Sequence, residues 1–210
     1  NIIRKTYLYK RLHRKLKSQT FIDRADFVAH TPKYSMVGGI INTGNNCYSM
    51  SGIEGNRCAL WTATPPRPFI FEFDCSEQSF INGFCVVLQA QSKTALGSES
   101  RLGADFIPNA IALSFLLFSC SYVKPFVSLF GMNRDHILRI DPSTCYSNCP
   151  VSPTLNTVNT VSVYVLEDDI ICTFNGERIL SYFMGNYDWW KALKASSSLY
   201  IGVTTSFNGL

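Results

Sequence analysis

The feature that most constrains the fold is an uncharged, apolar run from Pro108 to Phe118, which reads Pro-Asn-Ala-Ile-Ala-Leu-Ser-Phe-Leu-Leu-Phe. It is too short to cross a bilayer as a helix, which takes about 20 apolar residues. Short apolar runs bounded by turn residues are typical of strands that are covered on both faces. The run therefore predicts a middle strand, residues 110–118, around which the rest of a sheet packs.

The chain after Tyr34 consists of short apolar stretches separated by turn residues, which favours a β-sandwich. Residues 84–91 are expected to be the return strand of a hairpin with 69–75. Asn175-Gly176 is the dipeptide that type I′ hairpin turns favour, and residues 188–193 predict one helical turn. Besides 110–118, the predicted strands are 37–42, 58–62, 69–75, 84–91, 126–130, 137–140, 161–166, 170–174, 178–183 and 199–205.

A strongly basic segment leads the chain. The first 20 residues carry seven Lys and Arg and no acid, while the whole chain has a net charge of +4, so the rest is near −3. The body is therefore not a basic nucleic-acid surface, and no nucleic acid is predicted as a partner. Within residues 4–17, leucines recur at every fourth position, which predicts a basic amphipathic helix.

The leading segment and the strand-rich body predict two parts: residues 1–33 as an amphipathic arm and linker, and 34–210 as the sandwich domain. The helix 4–17 could lie on an anionic membrane surface or in a partner groove. The alternative is a solvated arm that docks its leucines on the body.

Eight cysteines, at positions 47, 58, 75, 85, 120, 145, 149 and 172, favour disulfides and an oxidising compartment. Eight cysteines allow roughly a hundred pairings, so spacing does not fix the connectivity. The preferred pairs are Cys75–Cys85, which flank the expected hairpin loop, and Cys145–Cys149, which share a Pro-rich loop. The alternatives are buried free thiols in an intracellular protein and, for Cys145 and Cys149, a zinc site.

The order of several short motifs resembles that of the L-type lectins, the legume lectins and secretory-pathway cargo receptors, over roughly residues 35–206. The resemblance implies an all-β, concanavalin A-like jelly-roll β-sandwich, here with a short basic N-terminal helix. The motifs are Gly55-Asn-Arg-Cys-Ala-Leu60, Pro68-Phe-Ile-Phe-Glu-Phe73, Ile81-Asn-Gly-Phe-Cys-Val-Val-Leu88, Arg101-Leu-Gly103, Asn109 to Phe118, and Leu199-Tyr-Ile-Gly-Val-Thr-Thr-Ser206.

The resemblance also implies a ligand-binding site. Its residues come from the Asn-Gly motif, the glycine loop and the last strand, and they are Asn82, Gly83, Arg101, Gly103, Thr204, Thr205 and Ser206.

The chain departs from the family where the family binds metal. Ser114 and Leu116 stand where the resemblance places a metal-ligating Glu and Asp, and Asn82 stands in place of the sugar-binding Asp. Calcium needs several oxygen ligands, mostly carboxylates, and a neutral amide gives no charge-assisted hydrogen bond. No metal and no cofactor are therefore expected.

Two pairs of carboxylates were considered as catalytic groups, because glycosidases need two carboxyls that converge on one bond. Asp168 and Asp169 are adjacent in a predicted turn and point apart. Glu72 and Asp74 share one face of a strand, for which a solvated outer face is the simpler interpretation. The sequence does not predict an enzyme.

Tyr187, Trp189 and Trp190 form the most aromatic cluster of the chain. Paired tryptophans can stack on sugar rings or anchor an interface. The alternative is that a Trp plugs the end of the sandwich beneath the helical turn.

Together these features predict a non-catalytic, lectin-like recognition module that binds a protein or a glycan without calcium. It would be secreted, displayed at the cell surface or held in the secretory-pathway lumen. The alternatives are a structural subunit of a surface or membrane-associated assembly and, with less support, a carbohydrate-active enzyme.

Overall fold

The computed structural model describes residues 33–45, 47–50, 57–76, 83–98, 100–116, 126–133, 136–139 and 158–206. The predicted helix 4–17 and the Cys145–Cys149 pair lie outside these residues. The described strands are Ser35–Gly38 (β1), Ile40–Gly44 (β2), Cys47–Met50 (β3), Arg57–Ala63 (β4), Phe69–Cys75 (β5), Gly83–Gln89 (β6), Ala110–Leu116 (β7), Phe126–Asn133 (β8), His136–Arg139 (β9), Asn159–Val165 (β10), Asp169–Phe174 (β11), Glu177–Phe183 (β12) and Tyr200–Ser206 (β13).

The described strands form two main antiparallel sheets, which confirms the all-β sandwich. The larger sheet has the order β1-β4-β13-β6-β7-β8-β9 and the smaller one β12-β11-β10-β5, while β2 and β3 form a separate hairpin. Two short helices complete the described part, an α-helix at Asp188–Lys194 (α1) and a 3₁₀ helix at Ser100–Gly103. None of the described helices has the length and apolarity that crossing a membrane requires.

Within the apolar run, Ala110–Leu116 forms an inner strand of the larger sheet. β7 pairs with β6 on one side and β8 on the other, and residues 110–115 are all buried. β6, one place away, occupies the centre of the sheet. Strand β6 is buried at every residue, so the larger sheet is covered on both of its faces.

The main core lies between the two sheets, and aromatic contacts link them. Phe73 of the smaller sheet meets Phe84 of the larger one edge-to-face, with ring centroids 5.8 Å apart. Phe84 stacks on Phe115 at 4.6 Å. Truncating a buried Phe to Ala costs about 3–5 kcal/mol, so these contacts contribute strongly to holding the sheets together.

A second core covers the outer face of the larger sheet. The connection between β6 and β7, residues 90–109, folds back over this face and buries its apolar residues against Trp61 and Val87. The Trp61 indole is fully buried, and its Nε1 donates a hydrogen bond to the Ala95 carbonyl at 2.8 Å. A Cβ at Gly202 would lie 2.6 Å from the Trp61 ring, so this strand position requires glycine.

The predicted hairpin between residues 69–75 and 84–91 is wrong. β5 pairs with β10 in the smaller sheet, whereas β6 pairs with β13 and β7 in the larger one. The two strands therefore belong to different sheets. Sequence periodicity marks both strands but carries no information on which neighbours they pair with.

The predicted Cys75–Cys85 disulfide is wrong for the same reason, because no disulfide joins the described cysteines. Cys75 packs against the core between the sheets. Cys85 points to the opposite face of the larger sheet, into the second core. Sheets of a sandwich are about 10 Å apart and a disulfide needs Cβ atoms about 4 Å apart, so the pair cannot close.

Most other predicted elements match closely. The strand 69–75 is confirmed at both ends, and the predicted helical turn 188–193 is α1. Asn175 and Gly176 both have positive φ, 51° and 81°, as a type I′ turn requires. The predicted strand 37–42 is instead two strands, β1 and β2, which separate around Gly39.

The burial of the thiols predicts how they react in the native protein. Burial raises the pKa of the Cys58 thiol to about 11, although a backbone hydrogen bond with Gly39 works in the opposite direction. At pH 8 the thiol is therefore protonated and unreactive. Cys47 is exposed and is expected to be alkylated quickly, whereas Cys58 and Cys85 are expected to be protected until the protein unfolds.

Mass mapping of tryptic peptides after native alkylation measures this difference. Alkylation in denaturant is the control that shows each peptide can be detected. A Cys75–Cys85-linked peptide in the unreduced digest, or labelling of Cys58 as fast as Cys47, would contradict the structure.

Candidate functional site

The described members of the set that the resemblance nominated lie at one end of the larger sheet. Gly83 begins β6, Thr204 to Ser206 end the antiparallel neighbour β13, and Gly103 ends the 3₁₀ helix. The Thr205 hydroxyl donates a hydrogen bond to the Gly83 carbonyl at 2.8 Å. Asn82 lies outside the described residues, and of Arg101 the structure describes the backbone alone, within the 3₁₀ helix.

Gly103 is required where it stands. It has a positive φ of 76°, and a Cβ on it would lie 3.0 Å from the Thr205 carbonyl oxygen and 3.7 Å from the Cβ of Thr204. The close approach places the 3₁₀ helix directly on the end of β13. Gly103, Thr204 and Thr205 are thus in direct contact.

Backbone hydrogen bonds hold the covering loop in shape. Gly97 N–H donates to the Gly103 carbonyl and Ser98 N–H to the Asp105 carbonyl, both at 2.9 Å. Arg57 Nη1 adds a hydrogen bond to the Gly97 carbonyl at 2.6 Å. The loop is therefore fastened to itself and to the edge of the sheet, which makes it a fixed surface.

The same loop contains backbone strain. Leu102 and Phe106 have positive φ values of 59° and 62°, a region that bulky residues rarely enter. Leu102 is buried, whereas the Phe106 side chain is 72% exposed between the buried neighbours Asp105 and Ile107. Strain of this kind concentrates at functional sites, so Phe106 joins the candidate site.

Beneath the loop lies a row of small, neutral side chains that crosses four strands. The strand register places Ala59, Thr204, Cys85 and Ser114 side by side. The Cys85 sulfur and the Ser114 hydroxyl are hydrogen-bonded at 3.1 Å. All four residues are buried, and the Thr204 hydroxyl has no hydrogen-bond partner among the described residues.

These residues do not fit the calcium that the fold family would imply. Calcium in proteins is held by about six to eight oxygen ligands, with carboxylates prominent among them. Where the resemblance implies a metal-ligating Glu, the structure has Ser114, which is buried and hydrogen-bonded to the thiol of Cys85. The described residues contain no group of three His, Cys, Asp or Glu that could hold a metal, and residues 117–125 lie outside them.

The aromatic cluster at the end of β12 is divided between core and surface. Trp190 is fully buried in the main core, and its Nε1 donates to the Glu167 carbonyl at 3.2 Å. This Trp plugs the sandwich end, as the alternative interpretation proposed. Tyr187 and Trp189 are half-buried, with ring centroids 5.4 Å apart, so they remain candidates for an interface.

Two acids of the β10–β11 turn, Glu167 and Asp168, form ion pairs with a lysine of α1. Lys194 Nζ lies 2.8 Å from a carboxylate oxygen of Asp168 and 3.0 Å from one of Glu167. Burial alone would lower the pKa of Lys194, but these hydrogen bonds and charges raise it above the usual value. The ion pairs fasten α1 to the turn and commit Asp168 and Glu167 to a cation, whereas Asp169 is the first residue of β11.

Glu72 and Asp74 share the outer face of the smaller sheet, as predicted. The Ser162 hydroxyl donates to Glu72 at 2.7 Å and the Thr160 hydroxyl donates to Asp74 at 2.6 Å. Both carboxylates therefore accept cross-strand hydrogen bonds from the neighbouring strand β10.

Comparisons with solved structures identify the architecture. The legume lectin-like domain of Entamoeba histolytica aligns with 84% of this chain and 82% of its own at a TM-score of 0.55 and 15% identity. The metal-free carbohydrate recognition domain of Emp46p aligns with 83% and 81% at 0.55 and 10% identity. The chain has the L-type lectin fold.

The chain also aligns with a structure of this fold that was solved with bound ligands. The exoplasmic/lumenal domain of VIP36, bound to Ca²⁺ and Man3GlcNAc, aligns with 84% of this chain and 77% of its own at a TM-score of 0.51 and 13% identity. No protein-family model and no curated protein sequence matches this chain. At such low identity the comparisons establish the lectin fold, and the site must be judged on its own residues.

Substitutions of two neighbouring threonines test the hydrogen bonding at this site. Thr205→Val removes the hydroxyl that donates to the Gly83 carbonyl and should lower the free energy of unfolding by about 1–2 kcal/mol. Thr204→Val removes a buried hydroxyl without a described partner and should leave stability unchanged or raise it. Urea unfolding of both variants measures the difference.

The two substitutions are matched in size and burial, so each serves as the control for the other. Equal losses of stability in both variants would contradict the hydrogen-bond assignment.

Proposed function

We propose that this protein is a non-catalytic, lectin-like recognition module that binds a glycan without calcium. The observation that carries the proposal is the fixed loop at residues 97–107, which seals a neutral, buried row of side chains and leaves Phe106 exposed above it. The resemblance implies a metal ligand at the position of Ser114, which is one member of this row. Recognition then depends on the loop surface.

Phe106 is the anchor of the proposed surface. An exposed aromatic ring can stack on the apolar face of a sugar ring or fill a pocket on a protein. Because the backbone on either side is buried, the ring is presented without the entropy cost of ordering a mobile loop. A protein partner that uses the same ring is the other outcome of the experiment below.

The carboxylates support the absence of catalysis in this proposal. Asp168 is ion-paired with Lys194, and Glu72 and Asp74 accept hydrogen bonds from the hydroxyls of Ser162 and Thr160 on the neighbouring strand. Acid–base catalysis of glycoside cleavage needs two carboxyls that flank one bond, one of them with a raised pKa.

We also propose a secretory-pathway or extracellular location, in line with the exoplasmic/lumenal domain of VIP36 that shares the fold. The cysteine content supports such a compartment less strongly than the sequence suggested, because no disulfide joins the described cysteines. The location therefore rests on the fold alone. Fractionation of the native source with protease protection of intact vesicles tests it, and cleavage of the protein in sealed vesicles would contradict a lumenal site.

A glycan array, probed in excess calcium and in excess EGTA, tests the binding function. We expect the same glycans to bind under both conditions. Phe106→Ala should weaken the best of them about tenfold, equivalent to about 1.4 kcal/mol. The control is Val158→Ala, which truncates a side chain that is 69% exposed just before β10 and should leave binding unchanged.

Binding that disappears in EGTA would refute calcium independence. Unchanged binding by the Phe106 variant would place the glycan elsewhere on the protein. If no glycan binds and a protein partner requires Phe106, the surface is a protein-recognition site.

A further inference from the structure

A recess lies at the end of β4 and the start of β13, where Ala63 and Tyr200 line it. The link between β4 and β5, residues 64–68, and the link between α1 and β13, residues 195–199, form its walls, with a volume of about 350 Å³. The proposed glycan surface adjoins the opposite ends of β4 and β13. Seven-residue strands span about 20 Å, so the two places are separate.

Arg67 is the distinctive residue of this recess. Its guanidinium is half-buried, its Nη1 is shielded from solvent, and that nitrogen has no hydrogen-bond partner among the described residues. Nη2 reaches the Lys194 carbonyl at a long 3.4 Å. Buried guanidinium groups are normally paired with a carboxylate or phosphate, and no described acid forms an ion pair with Arg67.

The lining of the recess suits an anion. Its other cationic residue, Lys194, is already paired with Asp168 and Glu167, so Arg67 supplies the uncompensated positive charge. Hydroxyl donors are available at Thr64, Ser197 and Ser198, and none of the described residues that line the recess is acidic. The electrostatics therefore favour a bound negative group over a neutral or positive one.

The remaining walls suit an apolar body attached to that anion. Pro65, Pro66, Leu199 and the ring of Tyr200 also line the recess. Small-molecule sites combine such apolar walls with a few fixed polar groups and begin at about 300 Å³. A molecule of the size of one sugar ring fits this volume.

We propose that the recess binds the carboxylate or sulfate group of a sugar-sized molecule, with Arg67 as the principal donor. A guanidinium can donate two parallel N–H groups to the two oxygens of a carboxylate or sulfate. Solvent does not reach Nη1 in this conformation, so the Arg67 side chain must turn toward the recess when the ligand binds. The exposed Ser197 and Ser198 hydroxyls at the mouth can donate to a further oxygen. The apolar walls hold the ring of the ligand.

Isothermal titration of the full chain at low ionic strength tests this site. The ligands are glucuronate, glucose 6-sulfate, inorganic sulfate and neutral glucose. We expect binding of glucuronate or glucose 6-sulfate at least tenfold tighter than that of inorganic sulfate, and no detectable binding of glucose. Added salt should weaken the binding, because the interaction is ionic.

Two arginine variants locate the site. Arg67→Gln should weaken binding of the acidic sugar at least tenfold. The matched control is Arg178→Gln, which removes the same charge from an exposed position on β12 and should change affinity less than twofold. Ser198→Glu adds a negative charge at the exposed mouth and should weaken binding while leaving the unfolding midpoint unchanged, so the test does not depend on Arg67→Gln alone.

The outcomes separate this site from the glycan surface. Phe106→Ala should leave binding of the acidic sugar intact, and Arg67→Gln should leave the array result intact. Equal loss in the Arg67 and Arg178 variants would mean non-specific charge attraction and would overturn the proposal. Binding of inorganic sulfate as tight as that of either acidic sugar would overturn the sugar-sized ligand, and failure of both acidic sugars to bind would overturn the site.

Discussion

The indole of Trp61, lying across Gly202 and hydrogen-bonded to the Ala95 carbonyl, is the contact on which the rest of the structure depends. It exists because β13 has no side chain at that position. The contact fastens residues 90–109 to the outer face of the larger sheet and turns that face into a second core. Without it, Cys85 and Thr204 would face solvent, and Phe106 would stand on an unsupported loop.

The second core also decides which chemistry is available. A cation would require carboxylate oxygens in the row that Ala59, Thr204, Cys85 and Ser114 occupy, and these side chains are small, neutral and buried. The sandwich has the backbone geometry of a lectin. In the proposed function, binding energy comes from shape, hydrogen bonds and Phe106, without dependence on metal concentration.

Much of the fold could be predicted because strand periodicity and turn chemistry are local. β5 was predicted to the residue, and Asn175-Gly176 adopts the turn that its composition favours. Pairing between strands is not local, which is why β5 and β6 were wrongly joined and Cys75 was wrongly paired with Cys85. The nominated Gly83, Gly103 and Thr205 do meet. Phe106 and Arg67 were missed, because the exposure of a ring and a guanidinium nitrogen without a described partner are visible only in the folded structure.

The central claim is that the row beneath the loop is sealed and holds no cation. The most direct measurement is a calcium titration of ¹⁵N-labelled protein, followed through the amide resonances of Thr204, Cys85 and Ser114. The account predicts that these resonances keep their positions at saturating calcium, as in EGTA. Stoichiometric shifts or new resonances at these three amides would show an ion bound beside them and would contradict it.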